Sequence, residues 1–379
     1  MKIKQELFTG SNWKTLSETD GFTASGSQLV LAFGERTLLS RTDVYGQLRA
    51  QYPSAAIVIN STAGEIFNDH VSDDTIVATA IAFDKTTVRT VQIEIENYQE
   101  SYRAGQQIAQ ALDDPALAAL FIVSDGSWVN GSKLIDALND SLHRVVPITG
   151  GLAGDANRFE STLVGLNEQP TAGKVVGIGF YGDSLYVGTS SMGGWDVYGP
   201  EREVTHSEYN VLFQIGDTSA LDLYRDYLGK YAQGLPSAAL FFPLSMRTTA
   251  DSPPLVRTIL TIDEAARSMT FAGDMPEKSL VRFMTANFDR LIEAAATAAH
   301  TAMSTLTFAP ELAILVSCVG RKLVLGQRID EEVEAVRDVF GETTVLSGFY
   351  SYGEIAPTAP GARCELHNQT MTITAFSEQ

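Results

Sequence analysis

Cysteine is nearly missing from this chain: Cys318 and Cys364 are the whole complement in 379 residues. Two thiols without a C-x-x-C pair cannot form a disulfide framework and argue against structural zinc, which leaves free thiols in a reducing compartment as the expectation. Basic residues are scarce too. Lys and Arg number 27 against 46 Asp and Glu, a formal charge of -19, which repels phosphate backbones and anionic headgroups and argues against nucleic acid as a partner. No stretch reaches the roughly 18 unbroken apolar residues of a membrane span, and the lysines near the N-terminus lead into no apolar signal segment. A cytoplasmic protein without membrane attachment is expected.

The familiar catalytic signatures are absent as well. His70, His143, His206, His300 and His367 share no H-x-x-x-H or H-E-x-x-H spacing, which argues against a multi-histidine metal site. There is no G-x-x-x-x-G-K-[ST], and Gly150-Gly151-x-x-Gly154 follows the last strand of its unit, so no nucleotide motif is present. G-x-S-x-G is missing, and Ser61, Ser124 and Ser317 end strands with no histidine near them in sequence. Cys318 near Arg321 is the one reactive pairing, because a neighbouring cation lowers a thiol pKa; packing as a small apolar residue is its other reading.

What is present is a chain with 44% apolar residues, enough for proper cores and for two or three domains. Residues 1–28 read as a peripheral strand or arm. Short apolar runs predict buried strands at Leu29–Phe33, Ala55–Ile59, Ala118–Val123, Val145–Ile148 and Ala313–Val316. Helical spacing predicts helices over Val44–Tyr52, Tyr102–Leu112, Asn130–Leu142, Ala220–Leu228, Asn287–Met303 and Glu331–Phe340. Alternating stretches at Thr75–Phe83 and Thr87–Ile95 predict a paired antiparallel ribbon, Lys174–Phe180 and Leu185–Ser190 a meander, and Leu255–Phe271 a second ribbon. Ala238–Phe242 reads as a short strand.

A repeat runs through this order. Leu117–Ser124 leads through a helix to Ile148-Thr149-Gly150-Gly151 and then Gly154-Asp155; Leu312–Ser317 leads through a helix to Leu346-Ser347-Gly348 and then Gly353-Glu354. The fold class read from this is α/β, two similar halves of mixed, largely parallel crossover units with added antiparallel ribbons.

The residues Asn60-Ser61-Thr62-Ala63-Gly64-Glu65-Ile66, Gly150–Asp155, Tyr198-Gly199-Pro200 with Val204-Thr205, Ser317–Arg321 and Gly348–Ile355 with His367-Asn368-Gln369-Thr370 resemble the FIST sensory domain, in its N and C parts. The resemblance divides the chain into an arm (1–28), a FIST N domain (29–203) and a FIST C domain (204–379). It departs at Ile59-Asn60, where the family often has Gly-Cys, so no role for a cysteine carries over there.

The resemblance implies a bacterial sensory module, not an enzyme, that binds a small ligand and regulates a histidine kinase or cyclic-di-GMP enzyme. With no output domain after Gln379, action in trans is expected. Free-standing members are similar to haem-binding nitric-oxide sensors, and haem needs only one axial imidazole; His206 and His367 are the iron candidates. The alternative is a sensor of amino acids or another small metabolite, and a cysteine-dependent enzyme using Cys318 is the third reading. The ligand-binding residues expected are Asn60, Ser61, Thr62, Asp155, Ser317, Cys318, Arg321, Tyr350, Tyr352 and Glu354, with Tyr350, Tyr352 and Glu354 holding an ammonium group and Arg321 a carboxylate.

Overall fold

The computed structural model describes residues 1–359 and 361–379. Its plan is a five-strand unit used three times. Unit one holds β1 (Lys2–Phe8), β2 (Leu29–Gly34), β3 (Ala56–Ser61), β4 (Glu65–Phe67) and β5 (Ile76–Ala82). Unit two holds β6 (Thr87–Glu94), β7 (Leu117–Ser124), β8 (Ile148–Leu152), β9 (Val164–Leu166) and β10 (Lys174–Tyr181). Unit three holds β11 (Leu185–Met192), β12 (Leu312–Cys318), β13 (Val345–Ser351), β14 (Gly353–Pro357) and β15 (Met371–Glu378). In each unit the second and third strands pair parallel through a helical crossover, and the fifth strand runs antiparallel between the second and the first.

The fourth strand of every unit leaves home. β4 pairs with β13 of unit three, β9 with β3 of unit one, and β14 with β8 of unit two. Each unit therefore completes its neighbour's sheet, in a closed cycle. The repeat read at Leu117–Asp155 and Leu312–Glu354 is present, and Leu29–Glu65 supplies a third copy.

The apolar runs explain why the sheets stand as they do. Alternate residues of a strand face opposite sides. Leu29, Leu31 and Phe33, Ala119, Phe121 and Val123, and Leu312, Ile314 and Val316 all point into one shared central core. The residues between them, such as Val30, Ile122 and Leu315, face outward into three separate cores under the helices. A strand buried on both faces must read as a continuous apolar run, and these do. The covering helices are α1 (Arg36–Arg41) and α2 (Val44–Gln51) on unit one, and α3 (Ser101–Leu112) and α4 (Gly131–Ser141) on unit two, where the Asn130 side chain caps α4 by accepting from Lys133 N–H.

Between β11 and the rest of unit three the chain builds a separate module from Asp196 to Thr285, with its own antiparallel sheet, its own core and one α-helix, α5 (Ala220–Leu228), which stops at Gly229. Unit three then resumes with α6 (Phe288–Ser304), α7 (Val319–Leu325) and α8 (Ile329–Phe340).

Several expectations change. Residues 75–83 and 87–95 do not pair with each other: β5 is buried along most of its length and sits between β2 and β1, whereas β6 is the edge of another sheet beside β10. β10 and β11 belong to different sheets and form no meander. Ser237–Phe241 is a 3-10 helix that follows Pro236, not a strand. Within residues 1–28, β1 is an inner strand of the first sheet and Trp13–Glu18 pairs with it as the peripheral, edge strand. β8 begins at Ile148 and runs through Gly150, where a Cβ would lie 1.9 Å from the Ile122 carbonyl oxygen, so the glycine permits the parallel strands' close approach. Among the described residues, no helix is long and apolar enough to cross a membrane.

Candidate functional site

The carboxyl ends of the parallel pairs converge where the swapped strands depart, the position at which ligands of α/β sheets gather. Three backbone hydrogen bonds join the units there in a ring: Ala63 N–H to Tyr350 O at 2.8 Å, Tyr352 N–H to Leu152 O at 3.1 Å, and Gly154 N–H to Ser61 O at 3.0 Å. The acceptors are equivalent by strand pairing, since Ser61, Leu152 and Tyr350 lie opposite Gly34, Ser124 and Ser317.

One acid follows each strand end. In units one and three a hydroxyl three residues earlier donates to it: Thr62 Oγ1 to Glu65 at 2.5 Å and Ser351 Oγ to Glu354 at 2.7 Å. Thr75 Oγ1 completes Glu65 at 2.7 Å, while Thr370 N–H and Oγ1 reach Glu354 at 3.1 and 2.9 Å. Burial still dominates, and pushes Glu65 up to about 8 and Glu354 up to about 7. In unit two the acid comes one residue sooner after the strand end, the counterpart of Thr62 and Ser351 is Ala153, and Asp155 turns to cations instead: Arg158 Nε at 2.6 Å and Arg36 Nε at 3.2 Å.

Each acid loop faces the start of the helix that follows a neighbour's first parallel strand, which defines three related clefts. The first is filled by its own ion pairs, Arg158 to Glu35 at 2.7 Å and Arg36 to Asp155. The second, 250 Å³, lies between Thr62–Glu65 and α7, where Lys322 donates to Ala63 O at 2.8 Å and pairs with Asp73, and it extends to Glu35 and Arg158 of the first. The third is the largest, 460 Å³. It lies between the Gly126–Gly131 turn and Tyr352, and Asn210, Leu260 and Phe271 of the inserted module close its far side.

The expected ligand residues divide among these places. Thr62 and Tyr352 line cavities. Asn60 and Ser61 are buried in β3, with Ser61 Oγ accepting from Leu163 N–H at 2.8 Å, and Asp155 is buried under its arginines. Glu354 is buried beside Thr370 and lines neither cavity. Arg321 does not wait for a carboxylate ligand: it is fully buried, holds Glu332 at 3.0 and 2.7 Å, and donates to Gly193 O and Leu291 O at 2.6 and 2.7 Å. Tyr350 Oη and Ser317 Oγ donate to the same Glu332 at 2.6 and 3.1 Å, so Tyr350 holds no ammonium. These four form a structural lock behind the strand ends. Cys318 is buried, and desolvation raises its thiol well above the usual range, which disfavours the thiolate.

Neither imidazole fits an axial haem position. His206 lies half exposed on the inserted module, pairs with Glu277 at 3.2 Å and stacks on Phe213. His367 is buried with Nε2 engaged by the Ala356 carbonyl at 3.0 Å, and desolvation lowers it to about 4. Neither lines the 460 or the 250 Å³ cavity. Among the described residues no cluster of three metal-ligating acids, histidines or cysteines occurs.

Sequence reasoning missed the aromatic wall of the third cleft. Trp128 and Phe159 are 45% and 47% exposed and both line it, with Tyr98 and Asn130 beside them. The available signal was position: each ring follows a strand-end turn, Asp125-Gly126-Ser127 or Gly154-Asp155, in a polar stretch where an aromatic has no core to join.

Residues 28–218 match the FIST N domain and residues 220–357 the FIST C domain. The chain belongs to the FIST family. FIST domains are sensory ligand-binding domains of signal transduction proteins, not catalytic ones. No curated protein matches this chain. The join between the two FIST matches falls inside the inserted module, so the third cleft brings FIST N residues (Trp128, Phe159) together with FIST C residues (Leu260, Phe271, Tyr352).

Proposed function

We propose that this FIST chain is a sensor that takes a small organic ligand into the 460 Å³ cavity and passes its occupancy to a partner histidine kinase or cyclic-di-GMP enzyme. The observation that carries this reading is the cavity's composition from both FIST parts, with half-exposed rings turned into it. Ligand pockets favour domain junctions and apolar walls with a few fixed polar groups. An occupant touching unit two, Tyr352 of unit three and the inserted module would favour one relative placement of them, which is what a signal to a partner requires.

A melting screen over metabolites tests it. A ligand at a hundredfold excess over Kd stabilises by about 2.7 kcal/mol; the same ligand should lose its effect on the Phe159→Ala variant, and an unchanged shift in that variant counts against the cavity.

A haem-based nitric-oxide sensor is the second reading implied by the resemblance, and the residues support it less. Its imidazoles stand away from the cavities, and both thiols are held protonated by burial. A Soret band that moves with nitric oxide would restore it; a colourless protein after reconstitution removes it.

A further inference from the structure

The wall of the 460 Å³ cavity has a sign. Among the described residues that line it, Glu160 is the one ionic side chain, and no lysine, arginine or histidine takes part. Four of the backbone donors on this wall are already engaged. Gly126 N–H goes to Thr162 Oγ1 at 2.8 Å, Ser127 and Trp128 N–H to Asp125 Oδ1 at 2.7 and 2.8 Å, and Asn130 N–H to Ser101 Oγ at 2.8 Å. Asp125 thus already takes two N–H groups of this turn that a ligand carboxylate could use. Asn130 is spent as well: its Oδ1 caps Lys133 N–H at 3.0 Å and its Nδ2 reaches Asp274 at 3.1 Å. The charge of Asp274 also bears on Tyr98, whose phenol burial and that carboxylate push up to about 12.

The aromatic faces point the same way. Trp128 and Phe159 are half exposed, and Phe159 is stacked on Tyr352 with centroids 4.7 Å apart. Ring faces carry negative potential and attract cations. Glu160, itself exposed, has the partly buried Arg36 as its partner at 3.3 Å, a contact that a ligand charge can replace.

We propose that this site takes an organic cation, an alkyl- or arylammonium group seated against Trp128 and Phe159 with Glu160 as counter-charge. This rests on the reading of the cavity as the sensory site and specifies its ligand class. The negative charge of the chain as a whole, -19, adds attraction at longer range.

Calorimetry on the full chain with three probes of matched ring, benzyltrimethylammonium, benzyl alcohol and benzoate, tests the class. The cation should bind at least tenfold more tightly than the alcohol, with benzoate weakest. Glu160→Gln should lower the cation's affinity several-fold and leave the alcohol's unchanged, and Phe159→Ala should weaken both. Equal or tighter binding of benzoate, or no binding of the cation to the wild-type chain, overturns the proposal. In that event the ligand found by the melting screen separates the two failures: loss of its effect in Phe159→Ala keeps the cavity as the site with a different ligand class, and retention discards the cavity too.

Discussion

The Tyr352 phenol holds the Phe159 turn from across the unit boundary, accepting from Phe159 N–H at 3.1 Å and donating to Ala156 O at 3.4 Å. Both of those residues have positive φ, 54° and 50°, a region that L side chains enter only when their surroundings enforce it. One hydroxyl from FIST C therefore fixes a strained FIST N loop that carries a cavity wall. Tyr352→Phe keeps the ring stack and removes the hydroxyl. It should cost about 1 kcal/mol in stability and raise amide exchange at 156–160 while the sheets stay protected. Unchanged exchange in that loop would show that the phenol does not hold it.

The buried lock gives a larger effect. Arg321 and Glu332 are each wholly removed from solvent, and Tyr350 and Ser317 complete the carboxylate. Removing one partner leaves an unpaired buried charge, so Arg321→Ala should cost about 3–5 kcal/mol in urea unfolding. Arg321→Met with Glu332→Gln should recover a good part of that. If the ammonium probe still binds the double variant as it binds the parent, the lock is structural and separate from the ligand site.

Two buried acids set a pH dependence. Glu65 and Glu354 titrate near 8 and 7 in the folded chain against an ordinary value of 4.5. The native state then keeps protons that the unfolded state has released, so their contribution is full below pH 4.5 and is lost as pH rises to about 8, at up to about 1.4 kcal/mol per unit for each group. His367 acts in the opposite sense and lower down: its folded value of about 4 lies below 6.5, so stability is lost as pH falls through that interval. Between pH 6.5 and 8 the acids dominate and the urea midpoint should fall with rising pH. Glu65→Gln should flatten that slope; a variant whose curve runs parallel to the parent's would refute the assignment.

How much of this was legible is a matter of range. The parallel strands announce themselves, because a strand buried on both faces must be apolar throughout, as Leu29–Phe33 and Leu312–Val316 are. The third copy was hidden because its first parallel strand ends in Phe33-Gly34 without the serine that marks the other two. The swapped strands were invisible: Glu65–Phe67 is three residues long and pairs with Ser347–Phe349, a partner that no local pattern names. Arg321 and Tyr350 have the chemistry of ligand residues, but Glu332, one helix further on, claims both. Trp128 and Phe159 sit in turns, where periodicity says nothing.

The ring of hydrogen bonds that closes the three units yields the sharpest test. Gly154 donates to Ser61 O at 3.0 Å, and a Cβ on it would lie 2.7 Å from Ala63 N and 3.1 Å from Ala63 Cβ. Ala63 N–H is itself the ring's next donor, to Tyr350 O, so a methyl group at 154 presses on two of the three links. Its φ lies outside the left-handed region, so the cost of Gly154→Ala comes from the clash alone, about 1–3 kcal/mol or more for backbone that cannot yield. Gly326→Ala is the matching control: φ is 55° with nothing within 4 Å of the added Cβ, so it carries a conformational cost of about 1–2 kcal/mol and no clash. Both variants should unfold in one transition, but only Gly154→Ala should lose exchange protection at the Ala63 and Tyr352 amides, in units one and three. Protection lost at 154 alone would mean that the strand ends are fixed within their own sheets and that the ring does not couple them.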